Sequence, residues 1–189
     1  MQYQARPQLN GKVSKICLGA MAWGRQNSES DAHAQMDMAL NAGVNFWDTA
    51  EMYPSPPDKD KQGDTERFMG TWFNKTKQRN KVILASKISP IGFLRDGQTR
   101  FNAAHISSAI DSNLERLQTD YIDIYQLHWP ERQANFFSQR GYSEEMAAQS
   151  LDDLTPFLET IQALNDEIKR GRIRAYGLSN DTAWGLMRY

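Results

Sequence analysis

Short apolar runs alternate along this chain with longer stretches in which apolar residues recur every three or four positions. The runs are KICLG (15–19), VNFWD (44–48), KVILAS (81–86), YIDIYQLH (121–128) and RIRAYGLS (172–179). Each has the length and the β-branched or aromatic content of a strand. The stretches between them read as helices. Ser28 and Asp31 have the spacing of a capping box ahead of DAHAQMDMALNAG (31–43), which Gly43 closes. Asp64 is placed to cap TERFMGTWFNK (65–75), where Phe68, Met69, Trp72 and Phe73 form one stripe. Asn102 is placed to cap AAHISSAIDSNLERLQ (103–118), with Ile106, Ile110, Leu114 and Leu117 on one face. Thr155-Pro156 opens a fourth helix with Pro at its first position. Its apolar face is Phe157, Leu158, Ile161, Leu164 and Ile168, and Gly171 ends it. A further helix starts near 180–182. Ahead of the repeat, Asn10-Gly11 predicts a two-residue turn joining a β-hairpin.

Strands alternating with amphipathic helices predict parallel strands and right-handed crossovers. The expected fold class is α/β, a (β/α)8 TIM-barrel type truncated to about five β/α units, with an N-terminal β-hairpin, as a single partial domain over residues 1–189. A closed barrel takes roughly 250 residues and seldom fewer than about 200. The first and last strands therefore keep open edges, which invite self-association. Two long segments follow strands, MYPSPPDKDKQGD (52–64) and about 129–153. Both leave the C-terminal ends of strands, the face where such barrels bind ligands.

Composition narrows the classes. A net charge of −1 gives no field for nucleic acid or an anionic membrane. No stretch approaches the length of a membrane span, and the start, MQYQARPQLN, has no apolar targeting region. Cys17 is the sole cysteine, so no internal disulfide forms; it reads as a small packed apolar residue in a reducing, cytoplasmic chain. No residues are read as a metal site.

The chemistry collects at strand ends. Asp48, Lys87 and His128 each close an apolar run, and Tyr53 follows Asp48 by one turn of loop. Singly, they read as a turn-forming carboxylate, a solvated lysine and a core histidine. Jointly, neighbouring strands would bring them together at one mouth. Asp48 and Lys87 would pair. The ammonium would lower the phenol's pKa from its usual value near 10. A neutral imidazole would donate to a carbonyl oxygen. The set suits protonating that oxygen while a cofactor delivers hydride to carbon.

At this point the chain resembles a known family. DTAEMY (48–53), the lysine of ASK (85–87), the histidine of QLHW (126–129), GLSN (177–180) and LGAMAWG (18–24) occur in the order and spacing of the aldo-keto reductases. DTAEMYP and LQTDYIDIYQLHWPER bring it nearest to that family's bacterial Tas-like branch. The resemblance implies an NAD(P)H-dependent oxidoreductase reducing aldehyde or ketone carbonyls of small molecules to alcohols. It implies Tyr53 as general acid, Lys87 tuning it, Asp48 holding Lys87 beside the cofactor, and His128 orienting the carbonyl. Ser179 and Asn180 would bond the nicotinamide carboxamide, although their Ser-Asn-Asp-Thr run also reads as a helix cap. Trp23, Trp129 and Met52 would line an apolar pocket. The implied cofactor is NADP, with NAD left open. Trp47 should point away from Asp48 and pack under a helix, Glu51 should make a structural hydrogen bond, and His33 and His105 should lie on the surface. Family members have eight strands, and the later ones carry most contacts to the cofactor's phosphates. The resemblance thus implies a truncated form holding the proton-transfer residues and part of the cofactor site; the alternative is a catalytically inactive fragment or binding module of the same fold.

Overall fold

The computed structural model describes residues 1–9, 11–90, 97, 99–135, 141, 143, 144 and 148–189. The five apolar runs form one parallel sheet in sequential order: β3 (Cys17–Gly19), β4 (Phe46–Asp48), β5 (Ile83–Ile88), β6 (Ile122–Leu127) and β7 (Ile173–Leu178). The crossovers run through α1 (Glu29–Asn41), α2 (Asp64–Thr76), α3 (Ala103–Leu117) and α4 (Phe157–Lys169), and α5 (Ala183–Arg188) follows β7. The α/β partial barrel expected from the alternation is the observed fold. Among the described residues no helix is long and apolar enough to cross a membrane.

The period of two explains which side chains face which layer. Trp47, Leu84, Ser86, Ile88, Tyr125 and Leu127 form the helix-side set and are buried. Trp47 packs 5.0 Å from the Trp72 ring and 5.9 Å from Phe73, both on α2. Register pairs Asp48 with Ala85 and Lys87 with Gln126, so these four belong to the inner face. On that face Phe46, Asp48, Ile124, Gln126 and Ala175 are only half-buried. Cys17 is exposed rather than packed, because five strands curve without enclosing their inner surface and Cys17 lies on the outer strand β3.

Buried polar groups tie the layers together. Glu66 on α2 accepts from Ser86 (2.6 Å), Asn113 (2.7 Å) and Arg116 (2.7 Å), and Tyr125 donates to Asn113 at 3.0 Å. One carboxylate thereby fixes β5, α2 and α3 together, with β6 attached through the tyrosine. A buried charge held this way has its lone pairs occupied, which offsets its desolvation. Asp123 does the same for β6, pairing Arg79 and Arg174 at 2.8 Å each.

The hairpin of β1 (Tyr3–Arg6) and β2 (Gly11–Ser14) seals the N-terminal end of the sheet. Ser14 Oγ accepts from the backbone N–H groups of Asn45 and Phe46, and Asn45 Oδ1 accepts from Ser14 N. Its connection is not the expected two-residue turn. Gly11 is paired with Arg6, and a 3-10 turn at Pro7–Leu9 fills the gap, because Leu9 is drawn into a buried position; Asn10 lies outside the described residues.

Other local details depart from expectation. Ser28 and Asn102 cap as read. Asp64 is the first residue of α2 rather than its cap; Gly63 takes that position at φ 83°, and Asp64 instead accepts from Arg67 at 2.8 Å. Pro156 caps α4, which begins one residue later. The buried face of α4 is Thr160, Ala163, Leu164 and Glu167, whereas Leu158 is 64% exposed. The reason is geometric: α4 packs on α3 and β7 along one side only. Its other apolar edge lines a groove of about 580 Å³ with Leu151, Leu154 and Tyr189. His105 is buried, not on the surface, with Nδ1 against the Arg100 carbonyl. It shares the i, i+4 row of Ala109 and Asn113, so the buried stripe of α3 is wider than its aliphatic residues suggest. His33 is half-buried, its Nε2 at 3.0 Å from both the Phe68 carbonyl and Thr71 Oγ1.

Candidate active site

After β4 the chain stays zipped to β5. Thr49 N donates to Ala85 O at 2.9 Å, and Glu51 N donates to Lys87 O at 3.3 Å. A turn closed by Tyr53 N on Ala50 O then aims Tyr53 back over the strand ends. Gly63 N returns to Tyr53 O at 2.9 Å, so the whole 52–64 segment is anchored on this residue. Lys87, inside β5 rather than past its end, sends its ammonium to the same spot. Nζ lies 2.6 Å from Asp48 Oδ2, 2.7 Å from Thr49 O and 5.0 Å from the centre of the Tyr53 ring. His128 follows β6 directly, its N–H on Ile88 O at 2.9 Å. Its ring meets Tyr53 edge-on at 5.6 Å and Trp129 at 4.7 Å. The four residues expected at one mouth are brought together there.

Tyr53, Lys87 and His128 are all buried. Burial, and then the Asp48 charge, push the Tyr53 phenol up to about 12. This reverses the expected direction. The ammonium that was to lower the phenol's pKa is engaged by a carboxylate and a carbonyl, and the ring is desolvated. Burial pushes the Lys87 ammonium below its usual value, while Asp48 opposes that. Burial, with the Lys87 charge second, pushes the His128 imidazole down to about 3. At neutral pH the site therefore holds a protonated phenol, an ammonium paired with a carboxylate, and a neutral imidazole.

The remaining expected residues divide. Trp129 forms a small apolar cluster with Ala50, Met52 and Tyr53, at the mouth. Trp23 stands apart: its ring is buried in the main core and its Nε1 donates to Gln35 on α1 at 2.9 Å. Ser179 and Asn180 follow β7 beside His128. Ser179 N donates to Leu127 O, and Asn180 Nδ2 donates to the His128 carbonyl at 2.9 Å. The cap of α5 is Thr182, so the capping role read from this run falls two residues after Asn180. Asn180 holds φ 52°, a left-handed conformation that asparagine tolerates better than most residues. Glu51 makes its structural bond, with Oε1 accepting from Ser89 N at 2.5 Å.

Two polar side chains at the site were not read from the sequence. Gln126 donates from Nε2 to Asp48 Oδ1 at 3.1 Å, so both carboxylate oxygens of Asp48 are engaged. Ser89 places Oγ 2.9 Å from His128 Nδ1. Gln126 shares the inner-face parity of Lys87 and stands two residues before His128, which was its available signal.

Comparisons with known proteins agree with this fold. The model of the aldo/keto reductase family matches residues 15–189. The protein tas of Escherichia coli is 45% identical over 193 aligned residues, covering all of this chain and 55% of that protein. The oxidoreductase YrpG of Bacillus subtilis is 31% identical, covering all of this chain and 52% of its own length. The chain thus spans about half the length of the relatives it matches. Among solved structures, an aldo-keto reductase of Bacillus halodurans in its holo form superposes with a TM-score of 0.69 at 31% identity, over 95% of this chain and 50% of that one. A Klebsiella pneumoniae aldo-keto reductase in complex with NADPH does so with a TM-score of 0.63 at 28% identity, over 89% and 46%.

The imidazole supplies a pH prediction. In the unfolded chain His128 titrates near 6.5, and in the folded chain near 3. Between those values the unfolded state binds a proton that the folded state refuses, so stability falls as pH drops through the window. The slope is at most about 1.4 kcal/mol per pH unit. Urea unfolding of the parent and of His128→Gln from pH 7 to pH 4 should show a shallower loss in the variant. Parallel curves would place the His128 pKa near its ordinary value.

Proposed function

The chain belongs to the aldo/keto reductase family, and we propose that its site reduces aldehyde or ketone carbonyls to alcohols, with Tyr53 as the proton donor and a nicotinamide cofactor as the reductant. The observation that carries this reading is the convergence of the buried Lys87, Tyr53 and His128 with the half-buried Asp48 at the C-terminal ends of adjacent strands. When bound, the cofactor supplies hydride to the carbonyl carbon. The donor set at the end of β7 fits its carboxamide. The Ser179 hydroxyl and the Asn180 amide together offer donor and acceptor atoms beside the mouth, and Asn180 is exposed. NADP is the proposed form, because the Klebsiella pneumoniae relative is described in complex with NADPH.

In this reading Tyr53 keeps its proton at neutral pH because its phenol is pushed up to about 12. It releases that proton only to an oxygen gaining charge as hydride arrives. The ammonium of Lys87, 5.0 Å from the ring centre, stabilises the phenolate at that moment. Asp48 and the Thr49 carbonyl keep Lys87 charged and fixed. His128, neutral, donates a hydrogen bond to the same carbonyl oxygen and sets its orientation. Trp129 and Met52 supply the apolar wall that excludes water.

The proposed substrates are small carbonyl compounds, and the proposed location is the cytoplasm. Fluorescence titration with NADPH followed by addition of an aldehyde separates this reading from that of a silent binding module, which would neither bind nor turn over. Tyr53→Phe keeps the ring and removes the proton. It should cut turnover by roughly 10²–10⁴-fold, the usual scale of a lost general acid, with cofactor affinity unchanged. Parental rates in that variant would mean that another group is the acid.

We also propose that the chain associates with itself through its open sheet edges. β3 and β7 are the outer strands, and the inner face between them is half-exposed. Unpaired strand edges and open apolar surface both drive association. Sedimentation velocity across a hundredfold range of concentration should show growing assemblies, and an unchanging monomer would contradict the proposal.

A further inference from the structure

Ser89 has no role in the scheme above, yet it touches the imidazole on which that scheme relies. It is fully buried, its Oγ lies 2.9 Å from His128 Nδ1, and its backbone N–H is held by the buried carboxylate of Glu51 at 2.5 Å. A serine hydroxyl carries one proton and two lone pairs, and a neutral imidazole carries one N–H and one bare nitrogen. Two arrangements are open. In the first, the hydroxyl donates to Nδ1, and the ring proton sits on Nε2. In the second, Nδ1–H donates to Oγ, and the buried hydroxyl proton needs another acceptor. Among the described residues Nδ1 is the sole hydrogen-bond partner of this oxygen. Stranding a buried hydroxyl proton is unfavourable, which selects the first arrangement.

We propose that Ser89 is a positioning residue that fixes the tautomer of His128: it donates to Nδ1, leaving Nε2 as the N–H that faces a substrate oxygen. Glu51 acts one step further back, holding the Ser89 backbone and hence the hydroxyl. The use of the Nε2 proton on a carbonyl rests on the proposed reductase activity; the tautomer itself does not. The structure also provides internal references. His105 Nδ1 faces the Arg100 carbonyl and His33 Nε2 faces the Phe68 carbonyl, and a carbonyl oxygen only accepts. His105 must therefore carry its proton on Nδ1 and His33 on Nε2, while His128 should match His33.

The test is a long-range ¹⁵N–¹H correlation spectrum of the labelled chain near pH 7, with the three imidazoles assigned by single His→Gln variants. A His128 ring protonated on Nε2 alone is expected in the parent. A ring protonated on Nδ1 would overturn the proposal without any variant of Ser89. Ser89→Ala should release the second tautomer to at least about a tenth of the population, and Ser89→Thr, which keeps the hydroxyl, should restore the single form. A single Nε2 tautomer persisting in Ser89→Ala would also overturn it. In turnover, Ser89→Ala should lower kcat roughly tenfold, the scale of one hydrogen bond, with cofactor affinity unchanged. An Nε2-protonated His128 that depends on Ser89, in a chain that reduces no carbonyl, would support this inference and contradict the proposed activity.

Discussion

The ion pair of Lys87 with Asp48 is the interaction on which the rest of the site depends. An ammonium this deeply buried is unfavourable unless its hydrogen bonds are filled and its charge is matched. Here Asp48 Oδ2 lies at 2.6 Å and the Thr49 carbonyl at 2.7 Å, and Gln126 occupies the other Asp48 oxygen. Those contacts require β4, β5 and β6 to be in register, because Asp48, Lys87 and Gln126 come from three different strands. The pair thus reads out the fold, and the fold is in turn what makes the pair affordable.

Its charge also sorts the protonation states around it. The phenol is raised by burial and by Asp48, so it holds its proton. The imidazole is lowered by burial and by Lys87, so it stays neutral. Neither group could take these states as a free side chain near neutral pH with the same margin. The consequence is a site that sets a protonated phenol and a neutral imidazole around a paired ammonium. This division differs from the simple picture in which the lysine acidifies the tyrosine in the resting protein. In the proposed reaction, stabilisation of the phenolate by Lys87 matters when the proton leaves, not before.

Much of this was legible in the chain. Five apolar runs fixed the strands, and the polar residue closing each of three of them marked the mouth, because a barrel gathers strand ends. Trp47 was assigned to the helix side by parity alone. What escaped the sequence has physical reasons. Ser89 and Gln126 are ordinary polar residues whose importance lies in which atom they face. His105 hides in a stripe widened by polar residues. Trp23 follows a strand end like the others, but its indole finds Gln35 on α1 and turns into the core. The Asn10-Gly11 signal was overridden by burial of Leu9, and the face of α4 by how little packs against it. The direction of the tyrosine shift was read the wrong way round, since it depends on distances that no spacing encodes.

A double-mutant cycle on Asp48→Asn and Lys87→Met, measured by urea unfolding, tests the central claim most directly. Asp48→Asn should be strongly destabilising, since it leaves the buried Lys87 ammonium without its counter-charge, and Lys87→Met less so, since Asp48 is half-buried and keeps its bond from Gln126. The double variant should be much less affected than the sum of the two, with a coupling above about 1 kcal/mol. Effects that add to within about 0.5 kcal/mol would mean that the two side chains are neighbours without being partners, and the site would need another organising interaction.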